Sequence, residues 1–421
     1  MSRPLHAVLL PPAAAARRLL EALPAALDGT GPALLPLDPG LPPARLAELL
    51  DAFAPSAIET TQGTQHFPPA SPAAAPDPAA GRPGVRDEVA VVIATSGSTG
   101  RPKGAELSAA ALLASARASL ERIGARPGEA WLCCLPTFHM AGLGVLVRSL
   151  LAGAEPVVAP RLDAGVLAAA LAGRGCAHVS LVPTQLRRLL DAGAPVTALR
   201  TILLGGAAPT AGLLADAAAA GAPVVTTYGM SETCGGCVYD GIPLRGVSAR
   251  VGPDNLIRIC GPVLFSGYRL RPQESAAVLA GGWFRTSDLG FLDSSGRLVV
   301  RGRASDVIVT GGEKVVAADV EAALETYRGV REVAVVGVPD REWGERITAL
   351  VVPADPAAAP ALAALRAHVR QRLPGYAAPR ALVLVPAIPL LASGKPDKAE
   401  MRRLASGSAS PSATPSASGS S

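Results

Sequence analysis

Strand-like apolar runs alternate with helical patterns along most of this chain, and that alternation restricts the fold more than any other feature. Before residue 60, AVLL and ALLPL are typical of strands, while ARRLLEALPAAL and ARLAELLDAFA are typical of helices, the first interrupted at Pro24. The alternation resumes at EVAVVIA (88–94) and continues to about residue 230. Such an order is typical of a mainly parallel sheet covered by helices, so we predict an α/β fold.

The pattern changes further along the chain. Between residues 250 and 303 it consists of short strands with glycine turns, and from residue 306 it reads as a compact α+β domain. The 421 residues exceed one ordinary domain of about 100–200 residues. We predict a large N-terminal α/β domain (1–303), which includes a Pro/Ala-rich connection at 67–84, and a small mobile α+β C-terminal domain (306–403). A disordered tail is expected at 404–421.

Composition excludes several classes of protein. The net charge is +5, from 39 basic and 34 acidic residues, without a Lys/Arg-rich block that would indicate a nucleic-acid partner. No unbroken apolar stretch reaches the roughly 18 residues of a membrane span. Pro11 and Pro12, followed by arginines, make a poor signal peptide. The six cysteines form no regular framework, so a reducing cytoplasm is expected.

The strongest local signal is TSGSTGRPKG, residues 95–104, which follows an apolar strand and is expected to precede a helical stretch. Its glycines let backbone amides turn inward, its hydroxyls add donors, and Lys103 adds a positive charge. Such a loop can wrap a polyphosphate. It is not a Walker A loop, because Gly-x-x-x-x-Gly-Lys-Ser/Thr is absent. On composition alone, a flexible Ser/Gly linker fits equally well.

This segment resembles, position for position, the phosphate loop of the adenylate-forming superfamily, which contains acyl-CoA synthetases, peptide-synthetase adenylation domains and luciferases. Segments similar to that family's other motifs follow in its order: FHMAGL (138–143), GGAAP (205–209), YGMSET (228–233), GPVLFSGY (261–268), WFRTSDLG (283–290), GRASDVIVTGGEKV (302–315), VVGVPDREWGERITALVV (335–352) and SGKPDK (393–398). The resemblance covers residues 8–403, although fewer residues precede the phosphate loop than in most members. It implies ATP-dependent formation of an acyl-AMP and then transfer of the acyl group to coenzyme A.

The resemblance also implies the nucleotide contacts. Glu232 would hold Mg²⁺ against the ATP phosphates, since Mg²⁺ prefers one or two carboxylates plus phosphate oxygens. Tyr228 would stack on adenine, Asp288 would bind ribose hydroxyls, and Arg303 would reach ribose or phosphate. The residues implied to contact ATP or AMP are Thr95, Ser96, Gly97, Ser98, Thr99, Gly100, Lys103, Gly205, Gly206, Ala207, Tyr228, Gly229, Thr233, Asp288 and Arg303.

Catalytic and mobile positions follow from the same resemblance. Lys395 would lie over the reacting carboxylate and the α-phosphate, where a cation stabilises the negative charge of the transition state. His139 resembles a residue that gates the acyl pocket, although a packed histidine near a helix start is the alternative. The small domain would pivot at Ser305, where the family usually has Asp or Lys. It would then present Gly311 and Gly312 to coenzyme A.

The segment from Cys234 to Cys237 spaces its two cysteines like a redox or zinc motif. One such pair without a second pair or nearby histidines is a weak metal signal. We therefore interpret it as a small-residue loop that borders the substrate pocket.

Within the superfamily, the chain most resembles the o-succinylbenzoate–CoA ligases of menaquinone biosynthesis. The segments that carry this resemblance are YGMSETCGGCVYDGIPL, GPVLFSGYR, GRASD and IPLLASGKPDK. Another aryl- or fatty-acid–CoA ligase, or a stand-alone adenylation protein that loads a carrier-protein thiol, are the alternatives. A non-enzymatic binding protein is disfavoured because Lys103, Glu232, Asp288, Arg303 and Lys395 occur together.

An o-succinylbenzoate pocket must hold the carboxylate that is not activated, so it needs hydrogen-bond donors as well as apolar walls. By position, its candidate lining residues are His139, Met140, Thr184, Gln185, Ser231, Gly235 and Gly236. Arg187 and Arg188 lie nearby in sequence, and at least one of them should face solvent.

Overall fold

The computed structural model describes residues 2–67, 83–96, 101–391 and 396–407. The chain forms two compact units. The first comprises Met1–Pro209, Leu213–Thr286 and Gly290–Val299, and the second comprises Thr210–Gly212, Ser287–Leu289 and Val300–Ser421. The main division between Val299 and Val300 lies near the predicted domain boundary. Most of the predicted 67–84 connection, and the tail from residue 408, lie outside the described residues.

The first unit contains most of the regular structure. Its elements in chain order, with the last two strands crossing the division, are β1 (Ser2–Arg3), β2 (Leu5–Val8), α1 (Pro12–Asp28), β3 (Ala33–Pro36), α2 (Pro43–Phe53), β4 (Ala57–Thr60), β5 (Gly63–His66), β6 (Val85–Arg86), β7 (Val89–Ser96), β8 (Pro102–Ser108), α3 (Ala109–Arg122), β9 (Trp131–Cys133), α4 (Met140–Ala152), β10 (Val157–Val158), α5 (Ala164–Arg174), β11 (His178–Leu181), α6 (Pro183–Asp191), β12 (Thr201–Leu204), α7 (Ala211–Ala219), β13 (Val224–Met230), β14 (Gly235–Tyr239), β15 (Ile242–Pro243), β16 (Ser248–Val251), β17 (Leu256–Cys260), β18 (Gly267–Tyr268), α8 (Pro272–Val278), β19 (Leu279–Ala280), β20 (Trp283–Leu292) and β21 (Leu298–Arg303).

Two seven-stranded sheets form the framework of the first unit among the described residues. One has the order β10-β9-β11-β12-β13-β14-β15 and is parallel from β10 to β13. The other has the order β18-β8-β7-β3-β2-β4-β5 and is parallel through β7, β3, β2 and β4. All four residues of β12 are buried, as expected for a parallel strand covered on both faces. The predicted α/β class with mainly parallel sheets is confirmed.

Helix α1 corrects one expectation from the sequence. It runs through Pro24 without a break, so the predicted interruption is wrong. An internal proline costs about 3 kcal/mol, because it removes a backbone donor and crowds the preceding turn. Leu19, Leu23 and Ala26 are buried from the same helix. Since each buried leucine contributes roughly 1.5–3 kcal/mol, burial of this face outweighs the local cost.

The region from residue 248 to 303 consists of short strands, as its glycine-rich sequence predicts. It forms a five-stranded sheet with the order β16-β17-β20-β19, in which β21 also pairs with β20. None of the helices in the part of the chain that the structure describes is long and apolar enough to cross a lipid bilayer.

The second unit is a smaller α+β structure. Its further elements are β22 (Val307–Thr310), β23 (Glu313–Val316), α9 (Ala317–Glu325), β24 (Val330–Asp340), β25 (Gly344–Pro353), α10 (Leu362–Arg370), β26 (Ala381–Leu384) and α11 (Lys398–Gly407). The strands form a sheet with the order β23-β22-β25-β24, and β26 pairs with β25. Side chains from α9 and α10 form one buried cluster, and side chains from α11 belong to another.

Helix α11 extends beyond the predicted start of the tail. It includes residues 404–407, which the sequence assigned to the disordered segment. Met401 and Ala405 are fully buried one helical turn apart. Ala405 has a small side chain and lies beside the Ala/Ser-rich tail. Its burial could therefore not be recognised from the sequence.

Candidate active site

The ends of the phosphate loop are held by two antiparallel strands. Thr95 in β7 pairs with Lys103 in β8, and Ser96 pairs with Pro102. The Thr95 hydroxyl also donates a hydrogen bond to the Lys103 carbonyl oxygen at 3.3 Å. A strand therefore follows the loop, and the helix expected there begins only at Ala109. The structure does not describe Gly97, Ser98, Thr99 or Gly100.

Lys103 and Glu232, two residues that the motifs single out, belong to one network of contacts. The Lys103 Nζ lies 2.7 Å from Glu274 Oε2 and 5.0 Å from the centre of the Tyr268 ring. The Tyr268 hydroxyl donates to Glu232 Oε1 at 2.8 Å. Hydrogen bonds from Lys103 and then Arg271 lower the pKa of Glu274. The sequence indicated no role for Tyr268 or Glu274, because no motif shows which residues their side chains contact.

Thr233, a predicted phosphate contact, has hydrogen-bond partners within its own turn. It is fully buried at the end of a short 3-10 turn, Ser231–Thr233, that carries Glu232. Its hydroxyl accepts from the Met230 amide at 2.9 Å and donates to the Gly235 carbonyl oxygen at 2.7 Å. These backbone groups engage the hydroxyl, and the predicted phosphate contact of Thr233 stays a prediction. In this structure Thr233 fixes the turn that presents Glu232.

The predicted adenine-binding segments meet at one sheet edge. Strands β12 and β13 are parallel neighbours, and Gly205 follows the first while Tyr228 lies near the end of the second. A Cβ on Gly205 would lie 2.3 Å from Thr227 Oγ1, and a Cβ on Gly229 would lie 2.0 Å from the Gly235 carbonyl oxygen. Ligands of open α/β sheets bind at the carboxyl ends of strands. Gly206, which has a positive φ, and Ala207 continue directly from this edge.

His139 lies immediately before α4, in extended backbone, with its ring centre 4.6 Å from that of Phe138. The start of α4 is packed tightly against the loop before it. A Cβ on Gly142 would lie 2.3 Å from the Pro136 carbonyl oxygen. This position at a helix start agrees with either reading of His139, and its gating role stays a prediction.

Several candidate pocket residues have other partners. The Gln185 side-chain oxygen accepts from the Val182 amide at 3.1 Å and so holds the start of α6. Arg187 forms an ion pair with Asp216 at 2.6 Å. Arg188 is exposed, which confirms that at least one of the two arginines faces solvent. Arg187 is thus paired with an acid of α7.

The two cysteines at 234 and 237 are free and buried. Burial raises the pKa of the Cys237 thiol to about 12 and also raises the pKa of Cys234. Among the described residues, no group of three His, Cys, Asp or Glu side chains could hold a metal. The pair therefore packs as small apolar side chains beside the turn that carries Glu232.

Asp288 and Arg303, both predicted ribose contacts, are brought together in the second unit. Arg303 Nε lies 3.2 Å from Asp288 Oδ1. The Asp288 side chain is buried, while that of Arg303 is 54% exposed. Strand β20 runs through Asp288, so this residue lies within a strand.

Gly311 and Gly312 form the two-residue turn between β22 and β23, with φ angles of 59° and 83°. Two successive positive φ angles are typical of tight hairpins and favour glycine. The Gly311 amide donates to the Trp343 carbonyl oxygen at 2.9 Å. Ser305 is exposed in a 3-10 turn, Ala304–Asp306, where its hinge role stays a prediction. Lys395 lies outside the described residues.

Comparison with known families decides between the interpretations of these motifs. Residues 25–271 match the AMP-binding enzyme family, and residues 319–395 match the AMP-binding enzyme C-terminal domain. The chain belongs to the AMP-binding enzyme family. The resemblance to adenylate-forming enzymes is thereby confirmed.

Two relatives with named activities are similar to the chain over most of its length. The chain is 47% identical over 335 residues to a probable 2-succinylbenzoate–CoA ligase of Mycobacterium tuberculosis, covering 77% of this chain and 87% of that protein. It is 32% identical over 320 residues to a 2-succinylbenzoate–CoA ligase of Listeria monocytogenes, covering 73% and 68%.

Solved structures show the same fold. The o-succinylbenzoate CoA synthetase of Bacillus subtilis, in complex with the acyl-adenylate intermediate, aligns with a TM-score of 0.78 and 26% identity over 95% of this chain and 88% of that one. ATP-bound MatB from Rhodopseudomonas palustris aligns with a TM-score of 0.81 and 25% identity over 96% and 89%.

Proposed function

We propose that this protein is an ATP-dependent, AMP-forming ligase that joins o-succinylbenzoate to coenzyme A. The observation that carries the adenylation chemistry is the contact of Tyr268 with both Lys103 and Glu232. That contact brings the phosphate-loop cation and a carboxylate suited to Mg²⁺ into one network. The acid is indicated by the relatives, of which two are 47% and 32% identical ligases named for 2-succinylbenzoate.

The reaction takes two steps. A succinyl carboxylate oxygen attacks the α-phosphorus of ATP, the bond to the β-phosphate oxygen breaks, and pyrophosphate leaves. The thiolate of coenzyme A then attacks the acyl carbonyl, and AMP leaves with the oxygen that came from the carboxylate. The thiol proton goes to solvent. Neither step needs a protein nucleophile, so catalysis rests on positioning and on stabilisation of charge.

Glu232 is the residue that would hold magnesium. Its Oε1 accepts the Tyr268 hydrogen bond, while no described residue hydrogen bonds to its Oε2. One carboxylate combined with phosphate oxygens is the donor set that Mg²⁺ prefers. The bound ion would supply positive charge to the phosphates. Lys103, now paired with Glu274, would add a second positive charge when phosphates compete for it.

The second unit would act in both steps through different segments. Lys395 would stabilise the charge that develops when the carboxylate meets the α-phosphate. The Gly311–Gly312 turn would be used when coenzyme A attacks, with Ser305 as the pivot between the two poses. Asp288 would accept hydrogen bonds from ribose hydroxyls, and its ion pair with Arg303 would keep that carboxylate oriented.

We place the reaction in the cytoplasm, because the six cysteines are free and such thiols persist in a reducing compartment. The product would enter menaquinone biosynthesis, as the resemblance to the o-succinylbenzoate–CoA ligases of that pathway implies.

The test is an acid panel with ATP, Mg²⁺ and either coenzyme A or a carrier protein as acceptor, scored by the mass of the thioester. The panel contains o-succinylbenzoate, 4-phenyl-4-oxobutanoate, benzoate and octanoate. We expect o-succinylbenzoyl-CoA to form fastest, with AMP and pyrophosphate released. Preference for benzoate or octanoate would overturn the substrate assignment. Transfer to the carrier protein alone would identify a loading enzyme instead.

A further inference from the structure

The carboxylate of Glu274 holds the cation of the phosphate loop in this structure. Lys103 Nζ lies 2.7 Å from Glu274 Oε2. The Lys103 side chain is 17% exposed and that of Glu274 is 34% exposed, so solvent reaches this ion pair only in part. Water and salt screen a partly buried pair less than a fully exposed one. A phosphate that binds Lys103 must therefore compete with a carboxylate of the chain itself.

Glu274 has a second cationic partner, which makes the release of Lys103 easier. Arg271 Nη1 lies 2.5 Å from Glu274 Oε1, the other carboxylate oxygen. Arg271 immediately precedes α8 and Glu274 lies in its first turn, so local helix geometry maintains this second pair. Hydrogen bonds from Lys103 and then from Arg271 lower the pKa of Glu274, which keeps the carboxylate ionised at neutral pH. When Lys103 leaves, the carboxylate therefore still has a partner.

Lys103 also has a neutral partner that does not compete with phosphates. Its Nζ lies 5.0 Å from the centre of the Tyr268 ring. The face of an aromatic ring attracts a cation without neutralising its charge. The Tyr268 amide donates to Ser275 Oγ at 2.8 Å, and Ser275 directly follows Glu274 in α8. The start of α8 thus supports the ring that positions Lys103 and also supplies the carboxylate that neutralises it.

The surroundings of Glu274 allow its carboxylate to separate from Lys103. Glu274 lines an open cavity of about 490 Å³ together with Ala52, Arg101 and Arg271. A carboxylate that turns toward this cavity meets solvent and the Arg271 guanidinium. Burial of an unpaired charge, which would be strongly unfavourable, is therefore avoided. The ion pair between Glu274 and Lys103 can open and close without a rearrangement of the core.

We propose that Glu274 competes with the phosphates of ATP and of pyrophosphate for Lys103, which weakens ATP binding and speeds the departure of pyrophosphate. The inference rests on the proposed function, in which Lys103 contacts the ATP phosphates. Pyrophosphate is a polyanion, and a lysine without a competing anion would retain it. A carboxylate that returns to Lys103 neutralises this attraction. AMP has no β-phosphate, so Glu274 should not affect AMP binding.

The experiment measures the dissociation constants of ATP, pyrophosphate and AMP for the full chain by calorimetry, with Mg²⁺ and without any acid. Glu274→Gln keeps the shape of the side chain and removes its charge. In this variant ATP and pyrophosphate should bind about 3- to 10-fold more tightly, the range between an exposed ion pair and a charge-assisted hydrogen bond. Pyrophosphate should dissociate more slowly by a similar factor in stopped-flow measurements, and AMP binding should be unchanged.

Two further variants sharpen the test. Glu48→Gln is the matched control, because Glu48 also forms a 2.5 Å ion pair with an arginine three residues earlier, Arg45, on α2; all three constants should be unchanged. Arg271→Met should weaken ATP and pyrophosphate binding about 3- to 10-fold, because release of Lys103 then leaves Glu274 unpaired. This loss should disappear when Arg271→Met is combined with Glu274→Gln, since the two residues act as one unit. A loss of the same size in the double variant would show that Arg271 acts on the phosphates directly, against the proposal.

Unchanged or weaker binding of ATP and pyrophosphate in Glu274→Gln would overturn the proposal. An equal change for AMP would also overturn it, because it would indicate a structural role of Glu274. If Glu274→Gln does not fold, Glu274→Asp decides: its shorter side chain should hold Lys103 less well, and both polyphosphates should bind more tightly at unchanged AMP affinity. Unaltered affinities in that variant would contradict the proposal. A wild-type protein that binds neither ATP nor AMP would show instead that the proposed function is wrong.

Discussion

Tyr268→Phe is expected to raise the magnesium requirement of adenylation without unfolding the protein. The substitution removes only the hydroxyl that donates to Glu232 Oε1 at 2.8 Å. The ring keeps its packing against Phe265, whose centre is 4.9 Å away, and its contact with Lys103. A change in the magnesium requirement that leaves the melting temperature unchanged would therefore report on how firmly the Glu232 carboxylate is held.

The magnitude follows from the type of hydrogen bond. A bond to a charged acceptor contributes about 1.5–3 kcal/mol, and Tyr268 is only 9% exposed, so water does not easily replace it. If that energy is used to orient Glu232 toward the metal, the Mg²⁺ concentration for half-maximal ATP–pyrophosphate exchange should rise about 10- to 150-fold. Saturating Mg²⁺ should restore most of the rate.

Tyr239→Phe is the matched control. The Tyr239 side chain is also buried, and its hydroxyl lies 2.7 Å from Ser119 Oγ, which is the hydrogen-bond partner instead of Glu232. This variant should lose stability of about 1 kcal/mol without a change in the magnesium requirement. The reasoning would be refuted if Tyr268→Phe left the requirement unchanged, or if both variants raised it equally.

Other regions of the chain give further predictions. Lys395→Ala should slow acyl-AMP formation about 10²–10³-fold, while thioester formation from supplied acyl-AMP survives; equal losses in the two half-reactions would contradict the role. Deletion of 408–421 should leave the melting temperature unchanged. Deletion of 398–421 removes the buried side chains of α11 and should lower the melting temperature. Equal melting temperatures of the two deletion variants would show that α11 does not stabilise the unit. Alkylation of the native protein at pH 8 should modify partly exposed Cys260 before Cys237, because burial raises the pKa of Cys237 to about 12 and leaves little thiolate; peptide mass mapping would reveal the reverse order.

Sequence reasoning located the residues that belong to short motifs. Lys103 and Glu232 could be found because each lies in a contiguous segment with fixed spacing, YGMSET in the case of Glu232. The Asp288 and Arg303 assignments gave the residues but not their ion pair. The partners of these side chains depend on which strands become neighbours, and strand pairing cannot be read from a single sequence.

The contacts and elements that the sequence did not predict have physical causes. Tyr268 reaches Glu232 because β18 pairs with β8, a pairing between segments far apart in the chain. The helical stretch expected after the phosphate loop begins only at Ala109, because the chain up to Ser108 pairs with β7 as strand β8. The opposite occurs at Pro24, where burial of a helix face overrides a helix breaker.

An isotope experiment tests the central claim most directly. o-Succinylbenzoate labelled with ¹⁸O in the succinyl carboxylate is incubated with ATP, Mg²⁺ and coenzyme A, and the nucleotide product is analysed by mass spectrometry. The account predicts that AMP gains one ¹⁸O, because the carboxylate oxygen that attacks the α-phosphorus leaves with AMP. Label in the ring carboxylate should stay in the thioester. Formation of ADP, label in inorganic phosphate, or unlabelled AMP would contradict an acyl-AMP intermediate.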